Sequence, residues 1–221
     1  MRTLLLAVLA AWFTPGLTAG WNQAYFAATK PGGFATSRTA SNVSLPFTST
    51  LTRLADDDGR VVVEQHMVFN DKATPPTTNR YVLAKGFDAD RDLIDYMKGL
   101  VLSSYRVGAA TAFEDMPAAA IDAMKKMPTY AEHATFKGSE TVAGKRCDHY
   151  TYTRNAEGDA QLLSGDVWLN PAVPFGVVKE TTKTTDSSGK VLFFTESLLV
   201  ESGTKPLPAA EAAPIKRVRS E

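Results

Sequence analysis

A single cysteine, Cys147, in a chain of 221 residues excludes an internal disulfide. Three histidines with that one thiol leave no ligand set for a small metal-held fold, and no cofactor is expected. Charge of one sign is absent too: 24 basic side chains balance 24 acidic ones. A protein without a net field has no long-range attraction for nucleic acid or anionic lipid, so no nucleic-acid partner is expected. Long hydrophobic runs are missing. The one apolar stretch, Leu4 to Phe13, is about half the roughly 20 residues a membrane helix needs.

What is there begins with that stretch. Met1-Arg2-Thr3 precedes it, Thr14-Pro15-Gly16 breaks it, and Leu17-Thr18-Ala19 offers small residues for cleavage, the layout of a secretory signal peptide over 1–19. The mature chain is then expected to start near Gly20, periplasmic or secreted, with no integral membrane segment. Cys147 is too far from the cleavage site to carry a lipid anchor there. About 200 residues suffice to bury a core without disulfides. Asn42-Val43-Ser44 matches a glycosylation triplet, which matters only in a eukaryotic source.

Hydrophobic periodicity then divides the chain. Trp21, Ala24, Tyr25 and Ala28 share a helical face until Pro31-Gly32-Gly33, which predicts a short docking helix. From Phe34 the period becomes two. Phe47, Leu51 and Ala55 alternate with Thr48, Thr50 and Thr52. Asp56-Asp57-Asp58-Gly59 then turns the chain into Val61, Val63, Met67 and Phe69, a β-hairpin pattern. Thr77 to Lys85 adds a strand through Tyr81 and Leu83. Leu93, Tyr96, Met97, Leu100, Val101 and Ser104 recur at three and four residues, predicting a helix near 89–105, and Pro117, Ile121 and Met124 predict a second near 116–127. Val107 to Phe113 reads as a loop between them. Strands return over Tyr130–Lys137, Arg146–Arg154, Leu162–Asn170, Gly176–Thr185 and Lys190–Glu201. Their links are Ala143-Gly144, Asn155-Ala156-Glu157-Gly158 and Asp186-Ser187-Ser188-Gly189, short enough to force antiparallel neighbours. The expectation is one β domain over 20–202, with about eight to ten strands, and a disordered Pro/Ala-rich tail over 203–221.

Candidate chemistry is sparse. Asp88-Ala89-Asp90-Arg91-Asp92 imitates the start of a calcium loop, but Leu93 and Gly99 stand where glycine and glutamate are required, so it reads as an acidic helix start. His66, His133 and His149 lack metal-ligand spacing. Strand parity puts His149 on the face of Cys147, and no acid on that face is in sequence position to orient a base. No nucleophile elbow, zinc-protease helix, phosphate loop or dinucleotide fingerprint is present. The chain therefore reads as a protein that is not an enzyme. Aromatic and methionine side chains are the richer feature. Met67, Phe69, Tyr81, Trp168 and Phe194 fall on strands, and Met97, Leu100 and Met124 on the helices. As plain core they need no explanation; the other reading is the wall and lid of a lipid site.

The stretch Glu140 to Tyr152, with Val142, Gly144, Cys147 and Tyr150, resembles the LolA/LppX/RseB-like superfamily of periplasmic carriers and sensors, together with related envelope proteins. Gly165-Asp166-Val167-Trp168-Leu169-Asn170 and Val173-Pro174-Phe175-Gly176-Val177-Val178-Lys179 extend the resemblance. It implies an α+β, mainly β fold: a curved antiparallel sheet, an incomplete β-barrel, covered by amphipathic helices. It also implies an apolar ligand, a lipid or acyl chain, held between sheet and helices, with a lipid or acylated protein as partner. In LolA a particular arginine ties sheet to lid, and none of Arg38, Arg53 or Arg80 can be matched to it. The alternative is an envelope protein-interaction or sensor module, which would keep one sheet face or edge exposed and apolar.

Overall fold

The computed structural model describes residues 25, 28–56, 61–71, 73–82, 101–107, 110–115, 134–155, 161–207 and 217–218. These form twelve strands: β1 (Gly33–Ser41), β2 (Phe47–Arg53), β3 (Val62–Phe69), β4 (Thr77–Val82), β5 (Val101–Val107), β6 (Ala110–Asp115), β7 (Ala134–Val142), β8 (Lys145–Asn155), β9 (Leu162–Leu169), β10 (Val177–Thr185), β11 (Val191–Thr204) and β12 (Arg217–Val218). All join one sheet in the order β12-β6-β5-β4-β3-β2-β1-β11-β10-β9-β8-β7. Neighbours are antiparallel except β12, which runs parallel to β6. The sheet does not close, and its ends are β12 and β7. Chain order is kept within 33–115 and within 134–204. The pairing of β1 with β11 then fuses the two meanders in the middle.

Turn chemistry explains the hairpins. Between β7 and β8 the two linking residues, Ala143 and Gly144, have φ of 48° and 72°, the left-handed pair that matches the twist of a two-residue hairpin. Between β10 and β11, Asp186 Oδ1 accepts from the backbone N–H groups of Ser188 at 2.9 Å and Lys190 at 3.0 Å. Gly189 supplies the positive φ of 82°. Both links stand where the sequence put them.

The middle of the chain departs from expectation. Val101 to Ser104, expected in a helix, begins β5, and most of the expected loop Val107 to Phe113 lies in β5 and β6. Val101, Ser103, Tyr105 and Val107 also alternate with Leu102, Ser104 and Arg106, so a period of two competes with the helical one. The unpaired edge of β4 decides between them, because Tyr81 and Arg80 pair with Val101 and Leu102. β-branched and aromatic residues suit that pleated edge. The strand count rises from the expected eight to ten to twelve through β5, β6 and β12. The rest of the first expected helix and all of the second lie outside the described residues, as do the expected signal segment and most of the tail expected to be disordered, of which 203–204 end β11 and 217–218 form β12. Among the described residues no helix is long and apolar enough to cross a membrane.

The docking helix expected over 21–30 is described at Tyr25 and Ala28, which carry helical backbone. Thr29 Oγ1 donates to the Tyr25 carbonyl at 2.6 Å and accepts from Phe175 N at 2.9 Å. Gly176 has φ of 76°, and a Cβ there would fall 2.4 Å from the Tyr25 ring. Glycine at 176 lets this turn dock on the β9–β10 link.

Register assigns the faces. One carries Ala35, Ser37 and Thr39 of β1 opposite Leu51, Ser49 and Phe47 of β2, continuing to Gln65, Met67 and Phe69 on β3. Across β11 the same face carries Thr195, Ser197 and Leu199, then Glu180 on β10, Val167 on β9 and Tyr150 on β8. Most of these side chains are buried, with Val167 and Gln65 at 0% exposure. The opposite face carries ion pairs among exposed apolar side chains. Arg80 Nε lies 2.5 Å from Glu64 Oε2, and Lys179 Nζ lies 3.4 Å from Glu196 Oε2.

Candidate functional site

Hydroxyl, amide and carboxyl side chains run across the buried face. Gln65 Nε2 donates to Ser49 Oγ at 3.1 Å, and Thr39 Oγ1 donates to Ser197 Oγ at 3.1 Å. Ser37 stands opposite Ser49 in the β1–β2 ladder. Ser197 stands opposite Glu180 in the β10–β11 ladder. Apolar neighbours surround the row: Phe47, Leu51, Met67, Val167 and Leu199 are all buried.

Glu180 is 1% exposed. Tyr152 Oη lies 3.4 Å from Glu180 Oε1, 3.4 Å from the Thr181 carbonyl and 2.9 Å from Thr182 Oγ1. Glu180 Oε2 has no hydrogen-bond partner. Burial pushes this carboxyl well above the ordinary 4.5, and the hydrogen bond from Tyr152 offsets only part of that. The position therefore favours the neutral acid, a donor and an acceptor in one group.

A cleft of about 30 Å³ opens in this face between Ser37, Ser49 and Ser197 on its polar side and Leu51 and Phe175 on its apolar side. That is room for about two water molecules. It is a tenth or less of the roughly 300 Å³ that encloses a drug-sized ligand.

The residues expected to line a ligand site divide. Met67, 1% exposed, and Phe69 share the buried face, and Phe69 packs on Phe47 with ring centroids 5.6 Å apart. Tyr81 stands opposite Val63 in the β3–β4 ladder. Met97, Leu100 and Met124 lie outside the described residues. Trp168 and Phe194 are separated from these by the sheet itself. The register sets Trp168 opposite Lys179, Lys179 opposite Leu198, and Leu198 opposite Arg38, all on the other face from Met67. Trp168 is stacked on His149 with centroids 4.4 Å apart, while Lys179 Nζ lies 5.1 Å from its ring. Its Nε1 donates to Glu140 Oε1 at 2.5 Å. Phe194 is 37% exposed on that same outer side.

His149, for which strand parity offered no orienting acid, has two, because the β8–β9 and β7–β8 pairings bring them across strands: Nε2 lies 2.8 Å from Asp166 Oδ1 and Nδ1 3.3 Å from Glu140 Oε1. Cys147 is buried, its thiol donates to the Lys145 carbonyl at 3.3 Å, and burial pushes its pKa up. That arrangement does not make a thiolate. Among the described residues no group of three His, Cys, Asp or Glu side chains is arranged to hold a metal.

Sequence reasoning missed Glu180, Tyr152, Gly165 and the serines of the buried row. A signal for Glu180 existed. It shares strand parity with Val178 and Thr182, so it is a charged residue type on the apolar side of a strand.

No family model matches the chain, and no curated protein matches it. Solved structures do. The chain is similar to MucB in its complex with MucA(peri), at 13% identity over 87% of this chain and 57% of that one, with a TM-score of 0.46. This chain thus spans little more than half the length of MucB. It is similar to LprF from Mycobacterium bovis at 13% identity, over 87% and 97% of the two chains, with a TM-score of 0.36. Against the LolA superfamily protein NE2245 from Nitrosomonas europaea the values are 8% identity, 89% and 98% coverage, and a TM-score of 0.31. At these identities and TM-scores, neither ligand nor partner passes to this chain with the likeness.

Proposed function

We propose that the chain is an exported, non-enzymatic binding module that holds an amphiphile, an apolar chain with a polar end, against the buried face of its sheet. The observation that carries this reading is the mixture on that face. Ser37, Ser49, Gln65, Ser197 and Glu180 are set among Phe47, Leu51, Met67 and Leu199. A paired polar group adds only about 0.5–1.5 kcal/mol to a core, and one left without a partner, as Glu180 Oε2 is, costs about 1–3 kcal/mol. Ligand sites, by contrast, are mostly apolar with a few placed polar groups. The protonated, backbone-bonded thiol of Cys147 supports the absence of thiol catalysis. Export rests on the N-terminal segment.

Displacement of a fluorescent fatty acid, with native mass spectrometry of the protein as purified, tests this. Saturable displacement at micromolar protein is expected. No displacement, together with melting unchanged by lipids, overturns it.

A second reading, a protein-interaction module, has its own observation. Of the nine large hydrophobic side chains exposed among the described residues, seven gather at one end of the sheet. Val43 and Leu45 lie in the β1–β2 link, Val68 near the end of β3 and Leu162 at the start of β9. Val191, Leu192 and Phe194 lead out of the β10–β11 turn. Clustering of this kind marks docking surfaces.

A further inference from the structure

Glu180 lies mid-strand in β10, where its flanking ladder partners are Val167 on β9 and Ser197 on β11. A leucine of similar bulk would fill such a position without a polar group to satisfy. The sequence instead places a carboxyl there and commits a second position to it. Tyr152 reaches Glu180 only because Gly165 has no side chain: a Cβ at 165 would fall 2.3 Å from Tyr152 Oη. Even so, Oε2 stays without a partner. Ser197, opposite Glu180, borders the cleft shared with Ser37 and Ser49. The space is that of one or two head-group atoms, not of a chain.

The charge around it limits the occupant. Arg53 is the buried cation on this face among the described residues; the carbonyls of Leu54 and Val62 and Asp56 hold two of its nitrogens, and its Nε has no partner. It stands far along β2 from Phe47, the residue level with Ser197 in the ladder, and does not border the cleft. Lys179 and Arg38 stand on the opposite face. A phosphate or sulfate would enter this apolar setting beside a carboxyl with no cation to receive it. A neutral oxygen would accept from the carboxyl O–H or from a serine.

We propose that Glu180 and Ser197 form a head-group subsite that takes an uncharged, oxygen-bearing end of an acyl ligand, an ester or a hydroxyl, and discriminates against a phosphorylated one. The proposal rests on the ligand-binding reading above and specifies its substrate class.

The test uses purified full chain with diphenylhexatriene as hydrocarbon probe and three competitors: monoolein, octadecane and oleoyl lysophosphatidic acid. The wild type is expected to bind the probe and to prefer monoolein over both others by about tenfold or more, one well-placed hydrogen bond's worth of discrimination. Glu180→Leu should keep probe binding, melt at a higher temperature than the wild type and lose the preference. Glu180→Gln, which keeps a donor, should retain it to within about threefold. A wild type that binds neither probe nor monoolein overturns the ligand-binding reading itself. A wild type that binds all competitors alike, or a folded Glu180→Leu that keeps the preference, overturns the subsite alone. A Glu180→Leu chain that melts lower than the wild type shows a structural carboxyl and also overturns it. Should that variant fail to fold, Ser197→Ala decides: loss of preference supports the subsite and its retention overturns it.

Discussion

The phenol of Tyr152 crosses Gly165, its ladder partner on the neighbouring strand, and rests where any other residue would place a side chain. From there its hydroxyl reaches Thr182 Oγ1 at 2.9 Å on the next strand over. One missing Cβ therefore links three strands through a single side chain and brings a donor to a buried carboxyl.

Replacing Gly165 with alanine should break this link. The new Cβ would lie 2.2 Å from the Thr181 carbonyl oxygen as well as close to the phenol, and the carbonyl belongs to the ladder and cannot swing away. Urea unfolding should show a loss of about 1–3 kcal/mol, the range for overpacking a filled site. An unchanged midpoint would mean that Tyr152 is free to leave.

Glu180 makes stability depend on pH with a definite sign. Its folded pKa is raised above the ordinary 4.5, so between 4.5 and the folded value the native state holds a proton that the unfolded chain has lost. Its contribution is full below 4.5 and is lost as pH rises through the folded pKa. Wild type should therefore lose stability relative to Glu180→Gln as pH is raised from 4.5 toward 8 in matched urea titrations. A difference that grows in the other direction would contradict the buried, neutral carboxyl.

Cys147 should behave as an inert core thiol. It is 1% exposed, and burial favours the protonated form. Ellman's reagent should react slowly in native buffer and within the mixing time in denaturant. Fast native labelling would reveal opening of the β7–β8 hairpin near Lys145.

The apolar end of the sheet should be separable from the fold. Val43 and Leu45 are 54% and 48% exposed in the β1–β2 link, so changing both to serine should alter unfolding free energy by no more than about 0.5 kcal/mol each. Retention on a hydrophobic-interaction column should fall. Unchanged retention would show that these side chains do not form a continuous surface.

Much of the strand framework was legible because its signals are local. Ala143-Gly144 and Asp186 to Gly189 announce turns, and Val178, Glu180 and Thr182 alternate visibly with Lys179 and Thr181. The helical spacing of Leu100, Val101 and Ser104 misled for an equally local reason, since Val101 to Val107 satisfies both periods. Only the free edge of β4 chooses between them. The candidate site was not legible, because it joins β1, β2, β3, β8, β10 and β11, and nothing local records which strands become neighbours.

The sequence by itself determined the absence of disulfide support, the two-residue period and most of the turns, all consequences of residue type over a few positions. Tertiary structure decided which side of each strand is inside. A two-residue period defines two faces without ranking them, and register shifts at Thr36/Ser37, Val177/Lys179 and Thr184/Thr185 let neighbouring strands change phase. That is why Phe194, apolar by type, stands outside and Trp168 lies only partly buried on the face away from Met67, while Glu180, charged by type, lies within.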